Sequence, residues 1–213
     1  MVLLGGCDAL FGLYEVHPGI DAKIGIDVAI DVAMEAGCAD GVREAYVDLT
    51  MYPRIAGCNG GWSVRGIKAP ATTCGASGNN STNPTGLNCS IADLCAPGWH
   101  VCTTPVDVAT SSNGDGCTPI TGTAFYTTQV TGSGAASCDG NGTNDFFGCG
   151  TIGQPNVAAN CVPLDRFGQG TGTDTTCVGL PVGGWDCSGP TTDEAQNVTK
   201  RMDDSGGALC CRN

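Results

Sequence analysis

Hydrophobic and polar positions alternate strictly in only one stretch of the chain. Ile24, Ile26, Val28, Ile30, Val32 and Met34 are separated by Gly25, Asp27, Ala29, Asp31 and Ala33, a period of two that predicts a half-buried strand. In the stretch that follows, ADGVREAYVDLTMY, Val42, Ala45, Tyr46 and Leu49 fit a helical period, whereas Val47, Leu49 and Met51 fit a strand. A short helix and a second strand are both expectations here. From about Arg54 the pattern breaks into short apolar pieces between Gly, Asn, Ser, Thr and Pro, with cysteines recurring to the end. That is the signature of a loop-rich domain held by cross-links. The segment from Cys74 to Ser90 is almost free of apolar residues and reads as a surface loop, which sets a boundary near Ser90. Three segments follow: 1–19, a signal remnant or anchor; 20–90, a strand or helix region with its Gly- and Asn-rich loop; and 91–213, a disulfide-rich domain.

Composition changes this picture in one respect. With 15 Cys and 34 Gly among 213 residues and only 6% aromatics, stability must come from more than one large apolar core. The cysteines lack C-x-x-C pairs and only His17 and His100 accompany them, so disulfides in an oxidising compartment are expected rather than a zinc site. A net charge of −12 opposes binding to nucleic acid and to anionic lipid surfaces.

At the start, Val2 to Leu4, Gly5, Gly6 and Cys7 resemble the lipobox of a bacterial lipoprotein, which implies that Cys7 is acylated and that any membrane attachment runs through that lipid. Parity agrees: 15 Cys less Cys7 leaves an even number. The disulfide candidates are then Cys38, Cys58, Cys74, Cys89, Cys95, Cys102, Cys117, Cys138, Cys149, Cys161, Cys177, Cys187, Cys210 and Cys211. Adjacent Cys210 and Cys211 on an extended strand would face opposite sides and take two different partners. Cys95 and Cys102, with Trp99 between them, would pin that ring under a local staple, and Trp99 and Trp185 are read as core.

In LCAPGWHVC, the residues Cys95, Gly98, Trp99, His100 and Val101 resemble the opening phrase of C-type-lectin-like domains and of the related formylglycine-generating-enzyme fold. GGALCCR at 206–212 resembles their final strand, whose Cys pairs back toward the start. The resemblance implies an α+β, disulfide-rich and loop-rich fold with a lectin-like C-terminal domain and a small N-terminal strand or helix region. It also implies ligands. Gln154, Pro155 and Asn156 ahead of Cys161 resemble the segment that supplies calcium and sugar contacts, and Trp185, Asp186 and Cys187 resemble the Trp-Asn-Asp strand, so Gln154, Asn156 and Asp186 become candidate metal residues.

Independently of that resemblance, Asp139, Asn141, Thr143 and Asp145 stand at alternate positions, a spacing that can turn successive oxygens toward one hard cation. Calcium is thus the candidate cofactor; Asn and Asp are also ordinary turn formers. No catalytic constellation is legible, and His100 reads as structural. Asn79, Asn80, Asn88, Asn141 and Asn197 lie in N-x-S/T contexts that a eukaryotic secretory host could glycosylate. The functional expectation is an extracellular or cell-surface binding or adhesion module for carbohydrate or a surface protein. The alternative is a structural subunit that self-assembles into a filament or coat through its N-terminal segment.

Overall fold

GGALCCR, Gly206–Arg212, is a seven-residue strand without a charge before its last residue, and every residue but that one is buried. A strand apolar on both faces belongs in the middle of a sheet. In the computed structural model, which describes residues 34–67, 71–131, 138, 146–155, 160–167, 184–187 and 194–213, it is the central strand, β9. Only the backbone is described for Gln154, Pro155, Cys187 and Glu194.

The other strands are β1 (Ile55–Asn59), β2 (Trp99–Val101), β3 (Phe125–Thr131), β4 (Phe146–Cys149), β5 (Gln154–Pro155), β6 (Asp165–Phe167), β7 (Trp185–Cys187) and β8 (Val198–Lys200). The seven-stranded sheet runs β1-β9-β3-β4-β6-β5, with β2 also on β9, and β7 and β8 form a separate pair. One edge of β9 pairs antiparallel with all of β1, Ile55 facing Cys211 and Asn59 facing Gly207. The other edge is shared: β3 runs parallel beside Gly206–Ala208 and β2 antiparallel beside Cys210–Arg212. The sheet therefore draws strands from both sides of Ser90. Gly206 makes this junction possible, with φ +107° and a site where a Cβ would lie 1.9 Å from the Phe125 carbonyl oxygen; no other residue fits there. Helices are few: α1 (Pro105–Ser111), capped by Thr104 and started by proline, α2 (Glu194–Asn197), and a 3₁₀ turn at Ile91–Leu94. The fold is a disulfide-rich α+β one.

Both faces of the sheet are covered. On one, Trp62, Phe125, Phe146, Phe167 and Trp185 pack with ring centroids 4.5–6.0 Å apart. On the other lie Ile55, Tyr126, Phe147, Leu209 and Cys211, covered by Tyr46, Tyr52, Val108, Ile120 and Leu164. Burying one large side chain contributes roughly 1.5–3 kcal/mol, and disulfides add to both layers. The bonds are Cys38–Cys58, Cys74–Cys89, Cys95–Cys210, Cys102–Cys211, Cys117–Cys149 and Cys138–Cys161. Cys210 thus reaches one face and Cys211 the other. These six bonds point to an oxidising, extracellular environment. Among the described residues no helix is long and apolar enough to cross a membrane.

Two sequence expectations are corrected. Cys95 and Cys102 form no local staple around Trp99, because each is bonded to β9, across separations of 115 and 109 residues. Residues 39–52 form neither the helix nor the strand that their two periods suggest; they are turns with one bridge at Ala45. Side chains replace the regular ladder there. The Arg43 guanidinium donates to the carbonyls of Glu35, Ala36, Tyr46 and Tyr52, and Asp48 Oδ1 accepts the Thr50 and Met51 amides. Of the alternating segment Ile24–Met34, all but Met34 lies outside the described residues, and Met34 opens a helical turn at 34–36. Cys7, Cys177 and His17 lie outside them as well.

Candidate functional site

The turns at 39–52 set one lip of a pocket of about 240 Å³ lined by Glu44, Ala45, Tyr46, Val47, Asp48, Tyr52, Pro119, Ile120, Thr121, Gly122, Ala124 and Tyr126. Ala45 bridges antiparallel to Gly57 of β1, which fixes that lip to the sheet. The opposite lip, 117–124, is tied down by the Cys117–Cys149 bond and by the Thr151 hydroxyl, which donates to the Gly122 carbonyl at 2.6 Å. Tyr126 comes from β3. Three of the chain's four tyrosines thus line one pocket.

Their hydroxyls are all engaged. Tyr46 donates to the Gly116 carbonyl at 2.7 Å, Tyr52 to Asp115 Oδ2 at 2.8 Å and Tyr126 to Asn59 Oδ1 at 2.9 Å. Burial holds the Tyr46 and Tyr126 phenols well above the usual range, and the hydrogen bond to Asp115 raises the Tyr52 phenol. All three stay protonated donors. The Tyr46 and Tyr52 rings meet edge to face, 5.3 Å between centroids at 83°. Glu44 Oε2 accepts the Asn59 amide at 2.7 Å. Its carboxyl is pushed up to about 7 by the protein packed around it and by Asp40 and Asp203, with the Asn59 bond pulling it down. Its outer side is exposed, so solvent screens part of that effect. Among the described residues, no lysine or arginine lines the pocket.

Other polar clusters are structural. Asp93 accepts from the amides of Thr73, Cys74, Ala76 and Ser90 and from the hydroxyls of Thr73 and Ser90. Burial pushes its carboxyl up, but these bonds outweigh burial and hold it low. Cys74, Cys89 and Asp93 lie close enough to share a metal, as do Cys102, Asp107 and Cys211. In both groups the sulfurs are consumed in disulfides and offer no thiolate. His100 bridges Asn213 Oδ1 at 2.6 Å and Asp107 Oδ2 at 3.1 Å, and no serine hydroxyl is bonded to it among the described residues. Lys200 is fully buried, its ammonium donating to the Met202 and Asp204 carbonyls and lying 5.8 Å from the centre of the Trp185 ring. It braces the 201–205 turn.

The sequence-derived metal residues fare differently. Asp139, Asn141, Thr143, Asp145 and Asn156 lie outside the described residues. Gln154 sits in edge strand β5 opposite Arg166, and Asp186 in β7, its carboxylate on Arg201 at 2.5 Å. These two occupy different sheets. Trp99 and Trp185 are core, as their burial shows. Of the sequon residues, Asn88 is exposed, Asn79, Asn80 and Asn197 are half-buried, and Asn141 lies outside the described residues. Sequence reasoning missed the tyrosine pocket. Its one signal was local: Tyr46 and Tyr52 fall within seven residues, flanked by Glu44 and Asp48, in a chain with four tyrosines. Compared with known proteins, the chain matches no family model and no solved structure.

Proposed function

We propose that this protein is an extracellular or cell-surface binding module whose ligand, a carbohydrate or a surface protein, enters the tyrosine-lined pocket. The observation that supports it is the pocket itself, a concave site walled by Tyr46, Tyr52 and Tyr126 with carboxylates at its rim and both lips fastened to a cross-linked sheet. Aromatic walls with a few fixed polar groups are the usual make-up of a ligand site, and disulfides keep such a site preorganised at little entropic cost. Calcium remains the proposed cofactor, on the alternate oxygen side chains from Asp139 to Asp145. Lipid attachment through Cys7 remains the proposed route to a membrane.

The test is a screen of the labelled, non-reduced protein against glycans and extracellular proteins, in calcium and in chelator. Tyr52→Leu should abolish any binding found. A folded protein that binds nothing, or a Tyr52→Leu variant that binds as well as the parent, rejects this reading. Calcium is checked separately, since a cation bound only by the folded state must raise the melting temperature.

The second reading, a self-assembling structural subunit, draws support from Val42, Val47, Leu49 and Met51, exposed by 54, 67, 48 and 52% along one segment. Contiguous exposed apolar residues are a common mark of association. Sedimentation across a hundredfold range of concentration decides it: a monomer throughout excludes assembly.

A further inference from the structure

The self-assembly reading leaves open which surface joins and how many copies it joins. We propose that the exposed face of residues 42–54, together with Arg212, is a self-complementary interface that closes two copies of the chain into a two-fold dimer. This rests on the self-assembly reading, names its surface and its stoichiometry, and makes no use of the tyrosine pocket.

Three observations carry the inference. First, Val42, Val47, Leu49 and Met51 are exposed on a segment that is held in place. The Arg43 guanidinium ties its carbonyls together, Asp48 caps its turn and Ala45 bridges it to β1. An apolar patch fixed in this way loses little freedom when a partner covers it.

Second, two uncompensated cations stand at one end of that patch. Exposed Arg54 lies directly opposite exposed Arg212, whose amide donates to the Arg54 carbonyl at 2.9 Å, one step beyond the Ile55 and Cys211 pair of β1 and β9. Like charges facing each other across strands repel. Among the described residues neither guanidinium has a hydrogen bond or an ion pair, whereas Arg43, Arg65, Lys200 and Arg201 donate to carbonyls, to Asn197 or to Asp186. In a chain with 21 acids and nine Lys and Arg, such a pair is a seat for carboxylates from outside.

Third, the same strip carries those carboxylates at its other end. Glu44 and Asp48 are exposed, and among the described residues neither has a cationic partner. Each gives one oxygen to backbone amides and leaves the other open. Acids at 44 and 48, apolar residues around Leu49 and arginines at 54 and 212 make a strip that complements itself when a two-fold axis turns it end for end. An acidic partner of another kind would suit the arginines and be repelled by Glu44 and Asp48. About ten exposed residues a side fall short of the 20–30 of a standard interface, so a dimer that dissociates in the micromolar range is expected.

The test is sedimentation equilibrium of the full non-reduced chain through the micromolar range. The mass should rise from one copy to two and stop there. Leu49→Glu should stay a monomer throughout, and near-ultraviolet dichroism checks that it folds. The deciding variant is Glu44→Gln, Asp48→Asn, which keeps each hydrogen-bond acceptor and removes two negative charges from a chain of −12. If general repulsion alone governed association, this variant would dimerise more tightly. Contact with Arg54 and Arg212 requires that it dimerise about threefold to tenfold more weakly, and that adding Arg54→Ala and Arg212→Ala weaken it little further. Ile26→Lys, Ile30→Lys should dimerise like the parent. Tighter association in the Gln and Asn variant overturns the inference. So do growth beyond two copies, a dimer that survives Leu49→Glu, and loss of the dimer in the Ile26 and Ile30 variant, each of which leaves self-assembly standing. A monomer at every concentration rejects both.

Discussion

The two faces of the large sheet are built from neighbouring residues of the same strands, yet they do different work. β3 sends Phe125 to one face and Tyr126 to the other, β4 divides Phe146 from Phe147, and β9 divides Cys210 from Cys211. On the first face the rings are Phe and Trp, packed against one another and shut off from solvent. On the second the tyrosines are buried with their hydroxyls bonded to Gly116, Asp115 and Asn59, and a pocket opens beside them. Strand alternation thus lets one short sequence assign a sealed aromatic layer and an open pocket to separate faces. The layers also differ in their key carboxylates: Asp93, beside the Phe and Trp face, is held low by hydrogen bonds, while Glu44, at the pocket, is pushed up.

The sharpest way to break the comparison is Phe125→Ala, which removes the ring touching Phe146, Phe167 and Trp185. A loss of about 3–5 kcal/mol is expected, as for other buried Phe-to-Ala changes, read as a fall in melting temperature of the non-reduced protein. A loss under about 1 kcal/mol would mean that this face does not hold the fold. Next come the disulfides, one on each face of β9. Paired Ala substitutions at Cys95 and Cys210, or at Cys102 and Cys211, should each cost about 2–4 kcal/mol, and nearly the same amount, because loop-closure entropy depends only weakly on length and the separations are 115 and 109 residues. A clear inequality in the two melts would show that the cores above and below β9 repack unequally.

Asp93→Ala should cost about 1–3 kcal/mol at neutral pH by stranding the donors it serves. Its folded pKa lies below its unfolded one, so its contribution is complete above the unfolded value and disappears as pH falls through the folded value. Asp93→Asn should flatten that acid limb in a pH series of melts. The smallest effect has the opposite sign. Glu44, raised from 4.5 to about 7, binds its proton more tightly in the folded state, so stability falls as pH rises from about 4.5 to 7. In Glu44→Gln that slope should shrink, and an unchanged slope would remove Glu44 as its source.

Legibility followed locality. Disulfide richness, the loop from Cys74 to Ser90 and the two-sided Cys210–Cys211 pair rest on composition or on the geometry of one strand, and the chain states them directly. The pocket rests on Tyr46, Tyr52 and Tyr126, separated by up to 80 residues, and no local period joins them. Residues 39–52 misled for a related reason: their apolar spacing fits a helix and a strand, but Arg43 holds the backbone in turns through carbonyls scattered from Glu35 to Tyr52.

By itself, then, the sequence determined that this chain is a cross-linked, loop-rich protein of an oxidising environment, because cysteine content and the recurrence of Gly, Asn, Ser, Thr and Pro are legible residue by residue. Tertiary structure alone decided which cysteines meet, that β1 from before Ser90 joins the sheet of the later segment, and that three distant tyrosines share a wall. Those outcomes depend on closing loops of more than a hundred residues onto β9, and loop closure is settled by the sum of both cores rather than by any spacing along the chain.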